Sequence, residues 1–243
     1  MTQEPPTAPG SPAWWGERRP APSPPRRGRP PVDVGRIIDT ALELVDEVGI
    51  QALTLRMLAD ALSSGTATLY RHFAGKDELL AHVVDKILGE VKVPPERSAG
   101  GSWREALEGT AEALYGTLRR HPNALPLLVA QVPVGPHALA HRERTLALLL
   151  GFGFPVQLAA RAFTAVGHYV IGFAVQQHGP GAPGSGEQLP LREYYRGLDP
   201  VAFPATTAAA AELTGVSLDE EFAFGLSLLL DGLERARERG GER

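Results

Sequence analysis

Residues 66–76 carry Thr66, Thr68, Tyr70, Arg71, His72 and Lys76, and no carboxylate lies among them. Hydroxyl, phenol, guanidinium, imidazole and ammonium groups hydrogen-bond base edges and phosphate oxygens. The chain shows no nucleophile elbow and no paired carboxylates for acid–base work. The chemistry on offer is therefore recognition of an anionic surface, and an enzyme is not expected. Lys76 stands at the start of a predicted helix, where the dipole disfavours a cation. Free N–H groups at such an end instead make a natural phosphate site. Either a phosphate docks beside Lys76, or its ammonium pairs locally with Asp77, Glu78 or Asp60.

These side chains need a scaffold, and the surrounding pattern supplies one. Ile37, Ile38, Ala41, Leu42, Leu44, Val45 and Val48 recur at helical spacing. Gly49 is placed to stop that helix in a left-handed conformation. Thr54 predicts an N-cap for a short helix through Leu62. A break at Ser63–Ser64–Gly65 precedes a second short helix, about Thr66 to Phe73, and a longer helix runs from Lys76 to Val91. Leu55, Leu58, Ala59, Leu62, Leu69 and Phe73 turn to one shared core. Helices of about two turns are not stable alone and need the first helix to pack on. Two short helices with a tight turn, set on a third, have helix-turn-helix geometry.

The rest of the chain bounds the function. It has 243 residues, a formal net charge of -4 and no cysteine. Disulfides, thiolate metal sites and cysteine nucleophiles are excluded, and any nucleic-acid binding must come from a local basic surface. Residues 1–31 hold ten of the 22 prolines and five arginines. That composition predicts a disordered Pro/Arg-rich arm, its basic end positioned to seek DNA. No signal peptide is recognisable, and the apolar stretches Thr145–Val156 and Ala162–Val175 fall short of the ~20 residues that span a bilayer. A cytoplasmic location is expected. Residues 32–92 read as the helix-turn-helix domain and 93–240 as a larger helical domain. Its predicted helices are Trp103–His121, Leu125–Val132, His137–Leu150, Val156–Gln177, Ala205–Leu213 and Leu218–Arg239, the last capped by Ser217. A low-complexity loop is expected at His178–Pro190. The fold class is all-α.

The segment Arg36–Leu88 resembles the DNA-binding domain of the TetR (tetracycline repressor) family of transcriptional regulators. The resemblance is carried by Gly49, Leu53–Thr54–Leu55–Arg56, Leu58–Ala59, Leu69–Tyr70–Arg71–His72–Phe73 and Lys76–Asp77–Glu78–Leu79–Leu80. One departure is Ser63 where the family's turn usually has glycine, with Ser64 where an apolar residue is usual. A left-handed serine costs ~1 kcal/mol. The resemblance implies that Arg56 reaches a base or phosphate and that Thr66, Ala67 and Thr68 face bases. It implies that Tyr70, His72 and Lys76 clamp phosphates, and that Arg71 reads guanine or a phosphate. More weakly, Phe163–Gln176 and Glu221–Leu233 are similar to the ligand-binding and dimerisation helices of tetracycline repressors. Both helices are apolar beyond one face, and Gly167, Gly172 and Gly225 would permit close helix approach.

An ungapped alignment to those repressors implies an effector pocket near Thr110, Leu114, Leu128, Gln131, Thr145 and Gln176. Leu128 falls at the metal-binding histidine position, and leucine cannot ligate Mg²⁺. No metal and no cofactor are expected, and the effector should be a small apolar molecule rather than magnesium–tetracycline. The expected protein is a homodimeric, ligand-responsive repressor of palindromic operator DNA, with no membrane partner. The alternative is a ligand-binding or scaffold protein of the same fold that no longer binds operator DNA. Three weaker patterns carry blander readings. Gly179–Gly184 matches a G-x-G-x-x-G string but has no preceding strand. His137 and His141 lack the glutamate of a zinc-protease motif. His168 is expected in the core or at a dimer interface.

Overall fold

The computed structural model describes residues 7–18, 33–92, 101–130, 132–178 and 188–241. Twelve α-helices and no strand occur among them: α1 Pro12–Glu17, α2 Val34–Ala52, α3 Leu55–Ala61, α4 Thr66–Tyr70, α5 Lys76–Gly89, α6 Trp103–Arg120, α7 Leu125–Ala130, α8 Pro136–Gly151, α9 Val156–His178, α10 Gln188–Arg196, α11 Pro204–Ala208 and α12 Leu218–Gly241. The expected domain boundary near 93–100 and residue Gln131 lie outside the described residues.

Helix α2 buries Ile37, Ala41, Leu42 and Val45, the stripe its spacing predicts. Gly49 has φ 79 and ψ 164, a conformation open to a residue without Cβ. It breaks the helical run where the sequence placed the stop, and one short further turn runs to Ala52. Thr54 then caps α3, its Oγ1 accepting the Met57 N–H at 3.2 Å. The turn to α4 carries Ser63 at φ 49, a left-handed serine as the family resemblance implies. Leu58, Ala59, Leu62, Leu69 and Phe73 are all buried in one core with residues of α2 and α5, and Leu55 packs against it half-buried.

Helix α5 belongs to both halves of the molecule. It packs on α2 below and on α6, α7 and α8 above. Ser102 and Glu105 form a reciprocal capping box that starts α6. The start of α8 is capped from α5, since the Asp85 carboxylate accepts the N–H groups of His137 and Ala138 at 3.0 Å each. Helix α9 is the spine of the upper half, packed on α6, α8 and α12. It runs 23 residues, long and apolar enough by composition to cross a membrane. Here its inner face, Ala159, Ala162, Val166, Val170 and Ala174, is buried in the protein core. Tyr169 of α9 donates to the Phe222 carbonyl of α12 at 2.8 Å.

Three expectations need correction. Residues 12–17, inside the stretch read as a disordered arm, form α1, with Ser11 as N-cap and Pro12 in its first turn. Trp14 is only 2% exposed, so tertiary burial offsets the ordering entropy that composition alone left uncovered. The segment after Gln188 holds a nine-residue helix, α10, where no helix was expected. Gly225 serves packing within the chain: a Cβ there would collide with the Tyr169 ring.

Candidate nucleic-acid interface and effector pocket

Helix α4 has five residues and ends at Tyr70, shorter than the Thr66–Phe73 expected. Arg71 and His72 continue as a turn, with the His72 and Phe73 N–H groups both donating to the Leu69 carbonyl at 2.9 Å. Leu69 and Phe73 anchor this element in the core. Arg56, Thr66, Ala67, Tyr70 and Arg71 are exposed, and Thr68, His72 and Lys76 are half-buried. Tyr70 stands out at 59% exposure. An exposed tyrosine on a helix whose other side is tightly anchored is placed to meet a partner surface.

Two of these side chains have partners of their own. An Arg71 guanidinium nitrogen lies 3.3 Å from Thr68 Oγ1, so the guanidinium folds back along α4. Lys76 Nζ donates to the Ile50 carbonyl at 2.6 Å. This partner is neither a phosphate nor any of the carboxylates that the sequence offered. It is a carbonyl of the last turn of α2, 26 residues away, and no local signal points to it. The ammonium retains further N–H donors.

The implied effector residues separate. Thr110, Leu114 and Thr145 line a narrow cavity of about 20 Å³, room for about one water molecule. His141, Phe163 and Val170 line it too, and the alignment did not single them out. Leu128 is buried in α7 but does not line the cavity. Gln176 is exposed on the outer face of α9, away from it. Both threonine hydroxyls donate inward, Thr110 to the Ala106 carbonyl at 2.8 Å and Thr145 to the His141 carbonyl at 3.0 Å. What they turn to the cavity is acceptor lone pairs. Burial lowers the His141 pKa, and Arg144 lowers it further, so the ring is neutral at pH 7. A second cleft, of about 450 Å³, is lined by Lys86, Gly89, Glu90, Lys92, Arg120 and His137.

Two family models match the chain: "Bacterial regulatory proteins, tetR family" over residues 37–83 and "Tetracyclin repressor-like, C-terminal domain" over residues 94–237. The chain belongs to the TetR family. It is 30% identical over 238 residues to the HTH-type transcriptional repressor DrrR1 of Streptomyces coeruleorubidus, covering 94% of this chain and 86% of that one. Apo ActR from Streptomyces coelicolor superposes with a TM-score of 0.77 at 30% identity, over 88% of this chain and 100% of ActR. ActR in complex with actinorhodin superposes with a TM-score of 0.75 at 32% identity, over 86% and 99%. The TetR-family protein is thus a ligand-responsive DNA-binding transcriptional regulator built from an N-terminal helix-turn-helix unit and a C-terminal helical domain.

Proposed function

We propose that the protein is a homodimeric repressor that releases operator DNA when a small aromatic molecule bearing hydroxyl groups enters the cavity between α6, α8 and α9. The observation that carries this reading is the pairing of an exposed, core-anchored α4 with an apolar cavity lined by α5's neighbours. Thr66, Ala67 and Thr68 meet base edges. Arg56, Tyr70, Arg71, His72 and Lys76 meet phosphates and base edges at the rim. Two copies of α4 enter successive major grooves of a palindromic site, about 34 Å apart. A regulator of this kind works in the bacterial cytoplasm, where its DNA is.

Support for dimerisation comes from an uncovered apolar face. Phe224 and Leu228 of α12 are 67% and 55% exposed. Beside them α9 exposes Ala165, His168 and Gly172, and a side chain at Gly172 would meet nothing within the chain. Such a face is that of an interface rather than of a solvated monomer. Support for the effector class comes from the lining: Leu107, Leu114, Phe163 and Val170 offer apolar contact, and Thr110 and Thr145 offer acceptors for ligand hydroxyl donors. ActR, whose complex with actinorhodin is known, is similar in fold.

The cavity has room for roughly one water, so the effector must favour a widened form. To weaken operator binding a hundredfold it must prefer the released form by about 2.7 kcal/mol. The test is a gel-shift titration against the intergenic DNA beside the protein's own gene. A salt-sensitive complex, dissociated by hydroxylated polycyclic aromatics and not by magnesium–tetracycline, is expected. Absence of any sequence-specific complex would count against the reading.

A further inference from the structure

Helix α1 packs on the first half of α5, beside the loop that follows the DNA-reading helix. Trp14 is buried there, its ring edge-on to His82 at 5.4 Å, and Phe73 contacts the same imidazole at 5.5 Å. Trp15 meets His82 from a third side at 4.9 Å. Burial lowers the His82 pKa against the upward pull of Glu78 and Asp85, which suits a ring held among aromatics.

A polar chain runs beside this cluster. Glu78, at the start of α5, is only 6% exposed. One carboxylate oxygen accepts the Ala74 N–H at 2.7 Å, and the other accepts Arg18 Nε at 3.0 Å. The Arg18 guanidinium in turn lies over the Trp14 ring, 4.2 Å from its centroid. A buried carboxylate is tolerated only with a cationic or hydrogen-bonding partner, and Arg18 is the cation here. Ala74 is four residues past the end of α4. Trp15 lines a small cavity with Ala81, Val84, Pro133 and Gly135, which lies between α1 and the turn that leads into α8.

We infer that α1 is a built-in brace for the DNA-reading element: Trp14 through His82 and Phe73, and Arg18 through Glu78 and Ala74, are positioning residues that fix α4 for its operator. They need not touch DNA. The inference rests on the DNA-binding reading above and adds a determinant of specificity outside the helix-turn-helix unit. Four further arginines follow in residues 19–29, so a simple electrostatic arm is the rival explanation.

The two are separated by comparing the full chain with Trp14→Ala, Arg18→Gln and Arg18→Lys on the operator defined by footprinting and on a non-specific duplex of equal length. Hydrogen exchange over residues 69–79 of the free protein is followed in parallel. The brace predicts operator affinity about tenfold weaker for Trp14→Ala and Arg18→Gln, the scale of a modest intramolecular coupling. Non-specific affinity stays within about twofold, since phosphate contacts set it. Exchange at Ala74 becomes faster, and Arg18→Lys restores most of the affinity. Operator and non-specific affinities falling in parallel would overturn the brace in favour of the arm. Unchanged operator affinity with only a lowered melting temperature would overturn it as well. A wild-type chain that binds no operator would overturn the function proposed above together with the brace's role in it. Removing residues 1–18 provides the control if Trp14→Ala misfolds, because it exposes Glu78 to water rather than leaving it buried without a cation.

Discussion

His121, at the end of α6, reaches down to α2: its Nδ1 lies 2.7 Å from the Asp46 carboxylate. The other ring nitrogen lies 3.1 Å from Glu90, just past the end of α5, and Asn123 donates to the Asp46 carbonyl at 2.8 Å. One buried imidazole thus joins the helix under the DNA-reading unit, the shared helix α5 and a wall of the effector cavity. On the proposed function, a movement of α6 on ligand entry should reach α2 and α5 through this seam.

Replacing His121 by alanine takes the imidazole from Asp46, whose Oδ1 is already without a partner, while Glu90 keeps Arg120 at 3.6 Å. Because Asp46 and Glu90 are near 30% exposed, the expected loss is about 1–2 kcal/mol, the lower part of the range for stranded polar groups. The melting temperature should fall by a few degrees. The effector concentration for half-release of DNA should shift as well. A melting curve and a gel-shift titration on the same preparation check both.

The turn before α4 should be improvable. Ser63 holds φ 49, and glycine adopts that conformation without Cβ strain. The Ser64 hydroxyl is buried with no hydrogen-bond partner. Ser63→Gly should stabilise by about 1 kcal/mol, and Ser64→Ala by a similar amount as an unsatisfied buried hydroxyl disappears. Operator affinity should not change, since neither residue lies on α4. Thermal melts of the single and double variants decide it.

What the sequence made legible was local. The apolar stripe of α2 and the Thr54 cap follow from spacing and capping chemistry within a few residues, and the left-handed Ser63 follows from the family resemblance. Helix α1 was hidden because surrounding prolines and arginines carry a disorder composition, whereas its stability comes from Phe73, His82 and Glu78, more than fifty residues away. The Ile50 partner of Lys76 was hidden for the same reason. The cavity was half legible. Thr110, Leu114 and Thr145 fall on inward phases of their helices, but Gln176 lies on the outward stripe of α9 with His168 and Gly172. An ungapped alignment has no means of seeing that phase.

Stability should rise with pH through mild acid. Burial is the first cause of the lowered pKa of both His82 and His141, which start from an ordinary 6.5. In the unfolded chain both take up protons near that value, while in the folded protein they do so only at lower pH. Between the two values the unfolded state binds more protons. The stability is therefore complete above 6.5 and is lost as pH falls through the folded values. Melting temperatures from about pH 5 to about pH 7.5 should climb and level off, and His141→Asn should flatten the climb.

The outer face of α9 and α12 should hold two copies together. Leu228→Arg places a charge in the middle of an apolar patch that includes Phe224 at 67% exposure. In a symmetric dimer each substitution acts twice, so the variant should elute as a monomer while retaining its helical circular dichroism. A monomer gains no second half-site, and operator affinity should drop by orders of magnitude. Wild-type protein eluting as a monomer at micromolar concentration would remove the basis for this prediction.

Tyr70 and Lys76 should behave differently despite sharing a proposed phosphate role. Tyr70 is exposed and has no anchoring task in the free protein, so Tyr70→Ala should weaken operator binding with little change in melting temperature. Lys76 also ties the Ile50 carbonyl at the end of α2. Lys76→Met should therefore lower both affinity and stability, the latter by about 1–2 kcal/mol for a lost charge-assisted hydrogen bond. If the remaining N–H donors of Lys76 neutralise one phosphate per copy, the slope of log affinity against log salt should become shallower by about 0.9 per copy. For Tyr70→Ala, an uncharged side chain, the slope should not move. A lysine variant that melts early yet keeps the wild-type salt slope would mean that this ammonium braces α2 and contacts no phosphate.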